Sequence, residues 1–204
     1  MQPTAFNFEV KRKAFHLYGI ILPVLYLFLS KLFMVLLLFF ITPCVLYLDI
    51  SRHYNYKIKD ITNKIFSRLM REKEASGSFV LSGASFMITG FFLTSLFFPK
   101  GLAITSWFIL LICDSIASLV GIKIGAHKIN NKSIEGSIAF LSSAIFISIL
   151  CYFYIGYSSS FLNILISCLA TTAVELYSEK INADDNLLIP VTYCISTSLL
   201  NLIM

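Results

Sequence analysis

Residues 101–122 read GLAITSWFILLICDSIASLVGI. A helix needs about 20 apolar residues to cross a bilayer, and this run is long enough. It carries one ionisable side chain, Asp114. A carboxylate at membrane depth costs roughly 2.5–3.5 kcal/mol on insertion scales, so it faces a protein-lined or water-filled interior and not lipid. The stretch predicts a membrane helix with its Asp114 side turned toward neighbouring helices.

Six further runs supply those neighbours: Ala14–Ser30, Leu32–Asp49, Gly77–Phe98, Gly136–Gly156, Ser160–Tyr177 and Leu187–Met204. The composition agrees. The chain is 57% hydrophobic and 13% charged, where soluble domains carry about 25% charged residues. The expected fold is all-α: a polytopic membrane helix bundle of about seven transmembrane helices, forming one domain over residues 1–204. Lys11, Arg12 and Lys13 precede the first run as a signal peptide's basic region would. That run is long for a signal, and no small-x-small cleavage site follows, so it reads as a mature helix. The five cysteines lie in apolar runs without CxxC spacing, which suits small hydrophobic residues.

Lysine and arginine set the expected orientation. Fourteen of the 16 fall before the first run or in the loops after the second, fourth and sixth; Lys31 and Lys100 alone lie on the other side. This places the N-terminus in the cytoplasm and the C-terminus outside, in a multi-pass integral membrane protein. The same bias explains the net charge of +5 without nucleic acid. All acidic residues lie on the cytoplasmic side or in helices leading to it. Orientation does not require that, so the polar chemistry is expected at the cytoplasmic face. In the loop after the second run, Ile58, Ile61, Ile65, Leu69 and Met70 recur at helical spacing among basic residues. They predict an interfacial amphipathic helix, either a tether or an aid to lipid entry.

Asp114, Ser118, Gly121 and Gly125 share one face if the central helix persists, a small polar face that lets neighbouring helices approach closely. Asp114 is either packing glue between helices or a working group. The loop behind it favours the second reading. Gly121 and Gly125 would turn backbone N–H groups toward an anion, and Lys128 and Lys132 add charge. Ser133 is placed to cap the next helix, whose N-terminus favours phosphate. Glu135 could balance that dipole, contact a lysine or hold a cation, and Gly136 follows it. Neither GxxxxGK[ST] nor GxGxxG is present. Near the end of the sixth run, Thr171, Thr172, Glu175, Ser178 and Glu179 form a polar stripe, followed by Asp184, Asp185 and Asn186. Such oxygen donors suit Mg²⁺ with substrate phosphates, or an Asp that caps the last helix. At the front, Arg12, His16, Gly19 and Pro23 share a helix face. His16 is either a hydrogen-bonded interface residue or a catalytic one. Asp49 and Arg52, at i and i+3, are spaced to pair. Glu74, just before Gly77, is a further candidate.

Three segments together resemble a known family. They are Arg12-Lys13-x-x-His16-x-x-Gly19; the run from Asp114 through Ala117, Ser118, Gly121, Gly125, Lys128, Lys132, Ser133, Glu135 and Gly136 to Ser137; and Glu175 followed by Asp185-Asn186-Leu187-x-x-Pro190. In this order they resemble the dolichol kinase, phytol kinase and CTP-dependent diacylglycerol kinase family of integral membrane lipid kinases. Phosphatidate cytidylyltransferases are similar in the central run. Their long C-terminal signature has no counterpart after Gly136.

The resemblance implies transfer of the γ-phosphoryl group of CTP to the hydroxyl of a membrane lipid alcohol. It implies nucleotide contacts from Gly121, Gly125, Lys128, Lys132, Ser133, Glu135, Gly136, Arg12, Lys13 and Asn186. It also implies Mg²⁺ at Asp114 and Asp184 or Asp185, and catalytic roles among Asp114, Glu175, Asp185 and His16. Either Glu175 or Asp114 would orient or deprotonate the alcohol. CDP-lipid synthesis is the alternative enzyme reading. Ion transport is the alternative outside enzymes, and the one-sided acids argue against it.

Overall fold

The computed structural model describes residues 3–60, 81–129, 132–157, 159–181 and 183–203. It is an all-α bundle. The helices are α1 (Pro3–Leu17), α2 (Ile21–Phe28), α3 (Lys31–Tyr54), α4 (Gly83–Phe97), α5 (Lys100–Ile124), α6 (Ile134–Ile155), α7 (Phe161–Tyr177) and α8 (Asp185–Ile203). A two-stranded antiparallel hairpin, β1 (Lys128–Ile129) and β2 (Lys132–Ser133), joins α5 to α6. Each of the seven apolar runs contains a helix. Four helices, α3, α5, α6 and α8, are long and apolar enough to cross a membrane, while α4 and α7 are apolar but shorter. Residues 56–60 are helical. The rest of the expected interfacial helix, and Glu74, lie outside the described residues.

The first run differs from its expectation. It is not one helix: a 3-10 turn at Tyr18–Ile20 separates α1 from α2. The chain passes very close to α5 here. A Cβ on Gly19 would sit 2.9 Å from Leu111 Cδ2. Glycine permits this approach, and the tighter turn changes the helix face downstream.

Serine and aspartate define the helix starts, because the first N–H groups of a helix lack internal partners. Ser30 accepts from Phe33 N, Ser82 from Ser85 N, Ser133 from Gly136 N and Ser160 from Asn163 N. Asp184 Oδ1 accepts from Asn186 N at 3.0 Å ahead of α8. At the other end of α6, Gly156 adopts φ +74°, the left-handed conformation that glycine tolerates best.

The hydrophobic stretch of α5 is 67% buried, against 22% for α3 and for α6. That makes α5 the centre of the bundle. It packs on α1, α6 and α8, while α7 packs between α6 and α8 and α3 lies against α4. Trp107 of α5 stacks on Phe91 of α4 at 4.3 Å between ring centres, and its indole N–H donates to Thr94 Oγ1 at 2.7 Å. Asp49 and Arg52 pair at 2.6 Å as their spacing predicts. Asp49 also accepts from Ser82 N and Ser85 Oγ at 2.7 and 2.6 Å, tying α3 to the start of α4. The five cysteines are free thiols, four of them buried.

At the Lys100 end of α5, two lysines cross between connections. Lys31 Nζ donates to Phe98 O at 2.8 Å, at the end of α4. Lys100 Nζ donates to Leu27 O and Leu29 O at 3.0 and 2.8 Å, at the end of α2.

Candidate functional site

Midway along α5 the helix widens into a π-helical segment, Ile109–Cys113, and Asp114 is the next residue. Such segments insert extra backbone into a turn and recur at functional sites. Asp114 is buried, and its carboxylate accepts from the ammonium of Lys13 on α1, also buried. One turn on from Lys13, His16 places Nε2 3.9 Å from Asp114 Oδ2. Lys13, not Arg12, is therefore the basic residue that enters the bundle. Arg12 bonds Glu9 at 2.5 and 3.0 Å on its own helix.

The second half of the cluster forms around Lys132. The short hairpin projects this residue back toward the bundle. Its Nζ donates to Glu175 Oε1 at 2.6 Å, to Glu175 O at 2.7 Å and to Asp185 Oδ2 at 3.0 Å. An ammonium has three donors, so these contacts use all of them. Ser137, one turn into α6, donates to Glu175 Oε2 at 3.2 Å. Burial alone would lower the Lys132 ammonium below the usual lysine range. Asp185, Glu175 and Asp114 outweigh it and hold it above that range. Asp114 thus belongs to the same field, and residues from α1, α5, the hairpin, α6, α7 and α8 meet in one cluster.

The glycines serve the close helix approach that their shared face suggests. Gly125 has φ −66° and its N–H donates to Gly121 O at 3.1 Å, so it closes α5 and builds no anion nest. A Cβ on Gly125 would lie 2.2 Å from Gly121 O and 2.6 Å from Ser133 Oγ. One on Gly136 would lie 2.8 Å from Ala117 O. These glycines let the end of α5 and the start of α6 approach almost to backbone contact, which sets the hairpin that carries Lys132.

The remaining candidates divide. Ser133 caps α6 as predicted, with Gly136 N as its donor at 3.1 Å. Glu135 clamps His127, accepting from its backbone N at 3.2 Å and facing its Nδ1 at 2.8 Å. Lys128 is exposed on β1, in register with Ser133. Asn186 is buried and donates to Asp184 Oδ1 at 2.7 Å, while a Cβ on Gly83 of α4 would touch its amide.

The expected metal set of Asp114, Asp184 and Asp185 is not assembled. Lysine ammoniums occupy carboxylate oxygens of Asp114 and Asp185, and Asp184 caps α8. Among the described residues, no group of three His, Cys, Asp or Glu side chains is placed to hold a metal ion. Sequence reasoning gave Ser137 no role, although it stands in the central run. Lys13 was expected at the nucleotide, and the structure pairs it with Asp114.

The bundle and its buried lysine–carboxylate cluster define a helical membrane protein with a polar site at one end. No protein-family model and no solved structure matches the chain. It is 54% identical over 199 residues to an uncharacterised protein of Rickettsia prowazekii (strain Madrid E), covering 98% of each. It is 32% identical over 157 residues to CTP-dependent diacylglycerol kinase 1 of Schizosaccharomyces pombe (strain 972 / ATCC 24843), covering 70% of this chain and 68% of that one. The chain belongs to the CTP-dependent diacylglycerol kinase family.

Proposed function

We propose that this protein is a membrane lipid kinase. It transfers the γ-phosphoryl group of a nucleoside triphosphate, CTP in the first place, to the hydroxyl of a lipid alcohol of the diacylglycerol or polyprenol type. The observation that carries this reading is the half-buried meeting of Lys132 with Glu175 and Asp185. Kinship with a protein named as a CTP-dependent diacylglycerol kinase supports the choice of donor and acceptor.

Phosphoryl transfer asks for positioning and neutralisation of charge more than for covalent help. Lys132 is the ammonium best placed for the latter. In this reading it exchanges Glu175 and Asp185 for the nucleotide's phosphate oxygens, and the short hairpin allows the movement. Ser137 keeps Glu175 oriented during the exchange. Gly121, Gly125 and Gly136 hold the hairpin against α5. The site faces the cytoplasm, where nucleotide is available, and the lipid hydroxyl arrives from the bilayer.

The test is the purified protein in nanodiscs with γ-labelled CTP, ATP or UTP and a panel of diacylglycerol, polyprenol, phytol and phosphatidate. Label in a lipid monophosphate, with the nucleoside diphosphate as co-product, supports the reading. Label in pyrophosphate, with a CDP-lipid formed from phosphatidate, replaces it with cytidylyl transfer. Absence of transfer to every acceptor ends the kinase assignment.

A further inference from the structure

The kinase reading leaves one task without an owner: accepting the proton of the lipid hydroxyl as it attacks. The sequence nominates Asp114 or Glu175. The structure weakens both nominations. Asp114 accepts from the buried Lys13 ammonium. Glu175 accepts from Lys132 on one oxygen and from Ser137 on the other. In the resting arrangement Asp114 is thus tied to a lysine, and both oxygens of Glu175 are engaged.

His16 has the opposite situation. Its side chain is 13% exposed, and its Nε2 is buried without a hydrogen-bond partner. Buried polar atoms are nearly always paired, so an orphan beside a polar cluster calls for an occupant. The gap supports one. Nε2 and Asp114 Oδ2 are 3.9 Å apart, too far for a direct hydrogen bond. A hydroxyl oxygen admitted there would hydrogen-bond both at about 2.8 Å from each. With its proton on Nδ1, a neutral imidazole leaves the Nε2 lone pair available.

We infer that His16 is the proton acceptor for the lipid hydroxyl, with Lys13 and Asp114 as its positioning residues. This inference rests on the lipid-kinase reading. In the step, the hydroxyl O–H bond breaks and its proton passes to His16 Nε2. The oxygen forms a bond to the γ-phosphorus, and the bond from γ-phosphorus to the β-bridging oxygen breaks. The nucleoside diphosphate leaves with that electron pair. The imidazolium is held beside Asp114 and then returns its proton to solvent. The charged groups facing His16 are Asp114 from α5 and Lys13 and Arg12 from α1. Lys13 balances Asp114 in the resting state, and Asp114 then stabilises the imidazolium that forms.

The experiment compares wild-type protein, His16→Gln and His16→Ala in nanodiscs, with γ-labelled CTP and the lipid acceptor that the wild type uses. The expected result is a kcat loss of about 10²–10⁴-fold with the KM for CTP changed less than about threefold. Added imidazole should restore part of the His16→Ala activity, which a purely structural role would not allow. His16→Gln, close in size and polar, guards against misfolding of the alanine variant. Wild-type kcat in His16→Gln overturns the inference while leaving the kinase reading intact. So does a loss expressed only in KM without imidazole rescue. A wild type that transfers phosphate to no lipid overturns the kinase reading itself.

Discussion

Lys132 and Glu175, 43 residues apart, share two hydrogen bonds, one to the Oε1 of the carboxylate at 2.6 Å and one to the backbone carbonyl at 2.7 Å. The double contact fixes the hairpin against α7 and leaves Lys132 with one donor for Asp185. If Lys132 serves phosphate in catalysis, its removal costs transition-state stabilisation. Lys132→Ala should lower kcat/KM about 100-fold, and Lys132→Arg should recover only part, since a guanidinium does not reproduce a compact ammonium. Lys128→Ala, at an exposed strand position, should lose about tenfold or less and chiefly through KM. Steady-state kinetics with varied CTP checks the ranking. Equal losses for the two lysines would remove the special place given to Lys132.

The buried pair of Lys13 and Asp114 makes a stability prediction. Removing one partner leaves an uncompensated charge in the bundle, at about 3–5 kcal/mol. Lys13→Met should therefore lower the unfolding midpoint in detergent sharply. Lys13→Met combined with Asp114→Asn should recover much of the loss. Activity need not follow, because the pair also positions His16. Thermal unfolding of the four proteins forms a double-mutant cycle, and simple additivity would contradict the pairing.

The glycines predict an order. Gly125→Ala places a Cβ 2.2 Å from Gly121 O and 2.6 Å from Ser133 Oγ. Gly136→Ala places one 2.8 Å from Ala117 O. Gly121→Ala meets mainly the Ser133 hydroxyl, at 2.9 Å, which is easier to displace than backbone. Overpacking of this kind typically costs about 1–3 kcal/mol. The expected losses run Gly125→Ala largest, then Gly136→Ala, then Gly121→Ala. Unfolding midpoints in detergent measure them.

Lys132 also predicts a pH dependence. Its folded ammonium is held above the ordinary range, so its ion pairs stabilise the fold fully below the unfolded value of about 10.4. That contribution fades only as pH climbs through the raised folded value. The difference in unfolding midpoint between wild type and Lys132→Met should thus be constant between about pH 7 and 9. A difference that disappears within that window would mean Lys132 loses its proton there and is not held by its carboxylates.

Much of the architecture was legible because bilayer length imposes long apolar runs, and each run contains a helix. The caps at Ser133 and Asp184 were legible for a similar reason: capping chemistry acts over two or three residues. So was the Asp49–Arg52 pair, one helical turn apart. The break at Tyr18–Ile20 was not, because it answers to the close passage of Gly19 over Leu111, a contact between distant segments. The π-helical segment before Asp114 has no composition of its own. The contact between Lys13 and Asp114 spans 101 residues, and nothing local distinguishes Lys13 from the two basic residues before it. The glycines were legible as a small face for close helix approach, and the packing against Ser133 and Ala117 bears that out; which atoms they meet was not legible.

Lys31 and Lys100 are the two basic residues that run against the charge bias of the chain. Both ammoniums are bound to helix-end carbonyls. They act as cross-struts between neighbouring connections, and their place in the sequence follows from joinery and not from membrane address. With them set aside, the remaining fourteen basic residues all point the same way. Replacing both with glutamine should loosen that end of the bundle and leave the protein's insertion direction unchanged.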